Sequence, residues 1–215
     1  MSRFRLLAFD LDGTLVDSTE DLASAVNAAL AEIAPGTPAL PVPIVRALVG
    51  HGAAQLVERS LRHAGLRHDV AEALSVFLRH YEACLLDKTR LYPGVEEGLS
   101  ELAGHTLAVL SNKPGPLCRA ILEGLGVAPR FARIWGAGDF PGRKPDPAPL
   151  RLLMKDLGAT PDQTLFIGDS AVDVLTARAA GVAVYGVAWG LDPASLETSP
   201  PDRVITSLSE LRNLC

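Results

Sequence analysis

The sequence predicts an α/β fold, a Rossmann-like parallel-sheet core carrying an all-helical insert. Three observations predict it. From Tyr92-Pro93-Gly94 onward, short apolar runs alternate with segments of helical period, as expected of a parallel sheet with helices on both faces. Between Val16 and Tyr92 the period is helical and no convincing strand intervenes. Polar and acidic clusters follow directly on the apolar runs, and open α/β sheets bind ligands beyond the carboxyl ends of their strands.

Composition bounds the function. A chain of 215 residues, 48% of them apolar, has room for a core domain plus a small insert and is too hydrophobic for global disorder. A net charge of -5 without a basic block argues against a nucleic-acid partner. No apolar run is long enough to span a bilayer, and the N-terminal MSRFRLLAFD reaches Asp10 too soon for a signal peptide. Cys84, Cys118 and Cys215 are scattered and odd in number, which suggests no disulfide framework and a reducing, cytoplasmic setting. The five histidines show no zinc-binding spacing.

Leu6-Leu7-Ala8-Phe9 reads as a strand buried on both faces. Thr19 to Ile33 carries Leu22, Val26, Ala29, Leu30 and Ile33 at helical spacing, with Ser18 as its expected cap. The proline-rich stretch Ala34 to Pro43 cannot be helical throughout. A short helix is expected over Ile44 to Val49, ending at Gly50-His51-Gly52, then helices over Ala53 to Ala64 and Val70 to Leu86. Beyond Tyr92 the expected order is strand Thr106 to Leu110, helix Pro116 to Gly124, short strand Arg133 to Trp135 and helix Ala148 to Leu157. Strand Thr164 to Ile167, helix Val172 to Ala180 and strand Val182 to Val187 follow. Ser195 to Cys215 should hold a short strand near Arg203 to Ile205 and a terminal helix. The implied division is a core of residues 1–16 and 91–215 and an insert of residues 17–90.

Asp10 and Asp12 sit at the end of the first strand, in Phe9 to Ser18, FDLDGTLVDS. Positions i and i+2 of an extended chain point to one side. Two carboxylates held there call for a positive partner, and a hard divalent cation suits oxygen ligands. A plain Asp-Gly turn accounts for the bend but not for Asp10 at the end of an apolar strand. Strand Leu107 to Leu110 ends in Ser111-Asn112-Lys113, whose hydroxyl and amide can donate to phosphate oxygens; a turn serine is the bland alternative. Lys144 lies in the proline-rich loop Gly142 to Pro147 ahead of a helix, where an ammonium could neutralise a carboxylate and a phosphate. Leu165-Phe166-Ile167 ends in Gly168-Asp169-Ser170-Ala171-Val172-Asp173, a second acidic site at a strand end. Helix capping by Asp169 or Ser170, with Asp173 favouring the helix dipole, is the competing reading there.

These four motifs, in this order, resemble those of the haloacid dehalogenase superfamily, in its phosphatase branch. The helical insert between the first and second matches a cap of the family's C1 type, so the resemblance covers nearly the whole chain. LVDS after DGT, the stretch Leu48 to Gly52 with Leu56-Val57-Glu58-Arg59, and Gly186-Val187-Ala188-Trp189-Gly190 look most like the phosphoglycolate phosphatase subgroup.

The resemblance implies a Mg2+-dependent phosphomonoester hydrolase acting through an aspartyl phosphate. Asp10 would be the nucleophile and Asp12 the general acid/base. Thr14, Ser111, Asn112 and Lys144 would bind the phosphoryl group. Metal ligation would fall to Asp10, Asp12 (through its backbone carbonyl) and Asp169, with Asp173 acting through bound water or Lys144. The turn Gly50-His51-Gly52 would be the cap's specificity loop, a plain interhelical turn being the alternative. The expected partner is a small phosphorylated metabolite, with the protein a monomer or homodimer. Alternatives are a phosphatase for a sugar phosphate, amino-sugar phosphate or pyrophosphate, a phosphomutase, and a non-catalytic binding or regulatory protein on the same fold.

Overall fold

The structure, a computed structural model, describes residues 4–213. The chain divides into two compact units, Met1–Val16 with Leu91–Cys215, and Asp17–Arg90. Its first elements are β1 (Leu6–Phe9), β2 (Val16–Asp17), α1 (Thr19–Ile33), α2 (Val42–Arg46), α3 (Ala53–His63) and α4 (Val70–Ala83). Then come β3 (Arg90–Leu91), α5 (Val95–Glu101), β4 (Thr106–Pro114), α6 (Gly115–Gly124), β5 (Arg133–Ala137) and α7 (Ala148–Asp156). The last are β6 (Thr164–Gly168), α8 (Ala171–Ala180), β7 (Ala183–Val187), α9 (Pro193–Thr198) and β8 (Arg203–Ile205).

Six strands form a parallel sheet in the order β5-β4-β1-β6-β7-β8. β1 is central. Phe9 is level with Val109 on one side and Ile167 on the other, so the carboxyl ends of β1 and β6 come out together, beside β4, which runs on to Pro114. The chain adds strands outward from β1 in both directions, and such a reversal of strand order opens a crevice at those ends. Alternation sets the two faces of the sheet. Leu6, Ala8, Ala108, Leu110 and Phe166 pack in one cluster with Leu150 and Leu153 of α7 and Val174 and Ala177 of α8. Phe9 meets Phe131 edge-on, with ring centroids 6.4 Å apart. Burial on both faces explains why β1 has no polar alternation.

The inserted unit holds α1 to α4. Its interior contains Leu22, Val26 and Leu30 of α1, Leu56, Val57 and Leu61 of α3, and Ala73, Phe77 and Tyr81 of α4. The buried Asp21 carboxylate accepts from the backbone N–H groups of Lys88 and Thr89 and from the Thr89 hydroxyl.

Several boundaries differ from the sequence expectation. Ser18 makes no side-chain cap on α1; Asp17 instead accepts from the Thr19 amide at 3.0 Å and hydroxyl at 2.6 Å. The helix α4 stops at Ala83, where Cys84 N–H turns to the Tyr81 carbonyl, and Asp21 draws the following chain away. The helix expected over Ile44 to Val49 lies at Val42–Arg46. The strand β4 runs past Leu110 to Pro114 through polar residues, with Pro114 in register with Ala137 of β5. The short helices α5 and α9, of seven and six residues, carry too little period to be seen in the sequence. The terminal helix is a 3-10 segment, Leu208–Asn213, and Cys215 lies outside the described residues.

Candidate active site

Asp10 follows β1 directly, and its N–H continues the pairing to the Ile167 carbonyl at 2.9 Å. Asp169 follows β6. Asp173 sits in the first turn of α8. Carboxylate oxygens of Asp10, Asp169 and Asp173 all lie within 4.8 Å of one another, and all three residues are buried. The Lys144 ammonium is 2.8 Å from Asp10 Oδ1 and donates to Asp173 Oδ1 at 2.6 Å. Three buried carboxylates thus face one buried ammonium here.

Electrostatics records the imbalance. Burial pushes the Asp10 carboxyl up to about 6 against the pull of Lys144, and the Asp173 charge adds to the rise. Burial, then Asp173 and Asp10, hold Asp169 well above the usual carboxylate range. Burial alone would lower Lys144, yet Asp10 and Asp173 hold it above its ordinary value. A cluster of hard oxygen donors with surplus negative charge fits a divalent metal ion.

Close packing shapes the cluster. Gly13 has φ +87, and a Cβ there would overlap the Asp169 carboxylate; a Cβ on Gly190 would overlap Asp169 as well. Asp169 Oδ2 accepts from Leu191 N–H at 2.7 Å. Asp173 Oδ2 accepts from the Ser170 hydroxyl at 2.9 Å and from the N–H groups of Asp169 and Ser170 at 3.2 Å. Asp173 therefore caps its own helix with one oxygen and holds Lys144 with the other, so the capping reading and the functional one coexist in this residue.

The Asp10 and Asp169 carboxylates are joined by that of Asp173, and the Asp12 side chain turns elsewhere. Both Asp12 oxygens instead accept from the Lys113 ammonium, at 2.8 and 3.0 Å. The Asn112 amide bonds the backbone of Lys144. Its Nδ2 donates to the Lys144 carbonyl at 3.0 Å and its Oδ1 accepts from Lys144 N–H at 2.9 Å. Thr14 is fully buried and its hydroxyl has no hydrogen-bond partner among the described residues, while its carbonyl accepts from Trp189 Nε1 at 3.1 Å. Ser111 is buried in the polar part of β4 beyond Leu110, and its hydroxyl accepts from Lys113 N–H at 3.3 Å. Lys113 is the residue that sequence reasoning passed over. Its spacing of two from Ser111 was the available signal, since alternate residues of an extended chain share a side. Gly50, His51 and Gly52 lie between α2 and α3 in the inserted unit, with Gly50 at φ +108 and Gly52 at φ +87.

Residues 7–187 match the family model for haloacid dehalogenase-like hydrolases. The chain belongs to that family. Among curated relatives it is 39% identical over 213 residues to the phosphoglycolate phosphatase of Yersinia pseudotuberculosis, covering 96% of this chain and 91% of that one. It is 41% identical over 215 residues to the phosphoglycolate phosphatase of Pseudomonas syringae, covering 96% and 78%. A crystal structure described as a predicted phosphoglycolate phosphatase from Haemophilus somnus superposes with a TM-score of 0.92 at 33% identity, covering 100% of this chain and 99% of that one. Family membership makes this chain a hydrolase, and the buried acidic cluster at the β1 and β6 ends is where its members' divalent metal would fit. Among the described residues no helix is long and apolar enough to cross a membrane.

Proposed function

We propose that the protein is a Mg2+-dependent phosphomonoester hydrolase acting on a small phosphorylated metabolite, with 2-phosphoglycolate as its substrate. The observation that carries the chemistry is Asp10, buried at the β1 end with Lys144 at 2.8 Å and Asp169 beside it. The names of relatives near 40% identity support the substrate.

An Asp10 oxygen attacks phosphorus while the bond from phosphorus to the substrate oxygen breaks. Asp12 gives that oxygen its proton, leaving glycolate and an aspartyl phosphate. Asp12 then takes a proton from water, the water oxygen attacks phosphorus, and phosphate leaves with Asp10 restored. Splitting one difficult displacement into two lowers the barrier to each, and a positioned acid/base contributes about 10²–10⁴ in rate. Lys144 and Ser111 stabilise the charge spread over the phosphoryl oxygens. Asp10, Asp169 and the Asp12 backbone carbonyl would hold Mg2+, whose positive charge would offset repulsion between carboxylate and phosphate. Asp173 serves through Lys144, since its two oxygens are already engaged. The Gly50-His51-Gly52 turn is the proposed specificity loop, and the setting is cytoplasmic.

The test is kcat/KM across phosphoglycolate, hexose phosphates, amino-sugar phosphates, nucleoside monophosphates and pyrophosphate. Phosphoglycolate is expected to lead. A hexose or amino-sugar phosphate ahead by about tenfold, ~1.4 kcal/mol of transition-state preference, would overturn the substrate and leave the phosphatase standing.

A further inference from the structure

Two lysines are buried among the described residues, Lys113 and Lys144. Lys144 serves the proposed chemistry, in which Lys113 has no task so far. Lys113 lies near the end of β4 with its side chain 5% exposed, and its ammonium bridges both oxygens of Asp12, whose side chain keeps 12% of its surface open. Removing an ammonium from water is costly unless it is paired, so a buried lysine beside the proposed acid/base calls for an account.

We propose that Lys113 recognises the carboxylate of the substrate, and so selects phosphorylated carboxylic acids over plain phosphate esters. The inference rests on the phosphoglycolate reading and deepens it. Asp12 must reach the leaving oxygen to protonate it. In 2-phosphoglycolate the carbon that carries this oxygen also carries the carboxylate. A group in hydrogen-bond contact with Asp12 is therefore beside the substrate carboxylate when Asp12 is in place. An ammonium has three donors, enough to bridge one carboxylate and meet a second. In a water-poor site that charge-assisted contact is stronger than a neutral one. The competing explanation is that Lys113 only orients Asp12. It predicts the same loss on every phosphate ester.

The experiment compares 2-phosphoglycolate with ethyl phosphate, which has the same carbon chain without the carboxylate. It measures kcat/KM for the wild type, Lys113→Met and Lys113→Gln, the last keeping a donor for Asp12 but no charge. Wild type is expected to prefer phosphoglycolate. Both variants are expected to cut that preference by about tenfold or more, ~1.4 kcal/mol, mainly through KM for phosphoglycolate. Glycolate should also lose potency as a competitive inhibitor. Equal losses on both substrates, with the preference intact, would overturn the role of Lys113 and leave the substrate reading standing. A wild type with no preference would overturn both. If Lys113→Met does not fold, the ratio measured with Lys113→Gln decides alone.

Discussion

Asp173 and Lys144 form a buried ion pair, Oδ1 to Nζ at 2.6 Å, with each side chain 1% exposed. The pair joins the α8 start to the loop before α7, and it aims the ammonium at Asp10. Asp173→Ala breaks this pair but leaves Lys144 its contact with Asp10, so the larger cost falls on the helix start. There it removes the acceptor for three donors at the head of α8. Asp173→Ala is therefore expected to lower the denaturant midpoint sharply, and Asp173→Asn, which can still cap the helix, to lower it less. Equal midpoints for the two variants would contradict the double role.

Asn112 positions Lys144 by gripping its backbone on both sides. Asn112→Ala leaves that N–H and carbonyl without these partners, at about 1–3 kcal/mol for an unsatisfied buried group. A misplacement of about 1 Å can cost on the order of a hundredfold in rate, so kcat/KM should fall by roughly that factor in a protein that still folds. Steady-state kinetics with a melting curve checks both parts; unchanged kcat/KM would remove the positioning role.

The strand ends were legible because apolar runs buried on both faces stop abruptly at Asp10, Ser111 and Asp169, and the polar residue at each stop is the one the sheet delivers to the crevice. Side-chain commitments were not legible. Nothing local in Asp10-Leu11-Asp12 says that Asp12 turns to Lys113, because that partner is 101 residues away and arrives through the pairing of β1 with β4. Asn112 likewise meets its partner 32 residues on. Spacing identifies which residues reach a site, and only packing decides which of them bond one another.

Asp10 makes the metal-free protein sensitive to pH. Its carboxyl sits at about 6 in the folded chain against an ordinary 3.8, chiefly through burial. Between those values the folded chain holds a proton that the unfolded chain has released, so stability falls as pH rises through the window and stays lowered above it. Asp10→Asn removes this penalty. In chelator, the Asn variant is expected to melt above the wild type near neutral pH, with the gap closing toward pH 4. The reverse order at neutral pH would contradict the electrostatic account of the site.

A divalent cation that binds only the folded chain raises its stability by mass action. Exhaustive chelation should abolish turnover, and Mg2+ should restore it and raise the melting temperature. The rise should shrink in Asp169→Asn, which loses a proposed ligand. Full turnover in chelator would remove the metal from the account.

The central claim is that Asp10 is the nucleophile. The measurement is turnover of 2-phosphoglycolate and of a generic aryl phosphate by Asp10→Asn with Mg2+ present, on protein shown to be folded by circular dichroism and a cooperative melt. The amide nearly matches the carboxylate in size but cannot form the acyl phosphate. A folded variant with no turnover on either substrate is the predicted result, and a folded variant with wild-type turnover would contradict the mechanism.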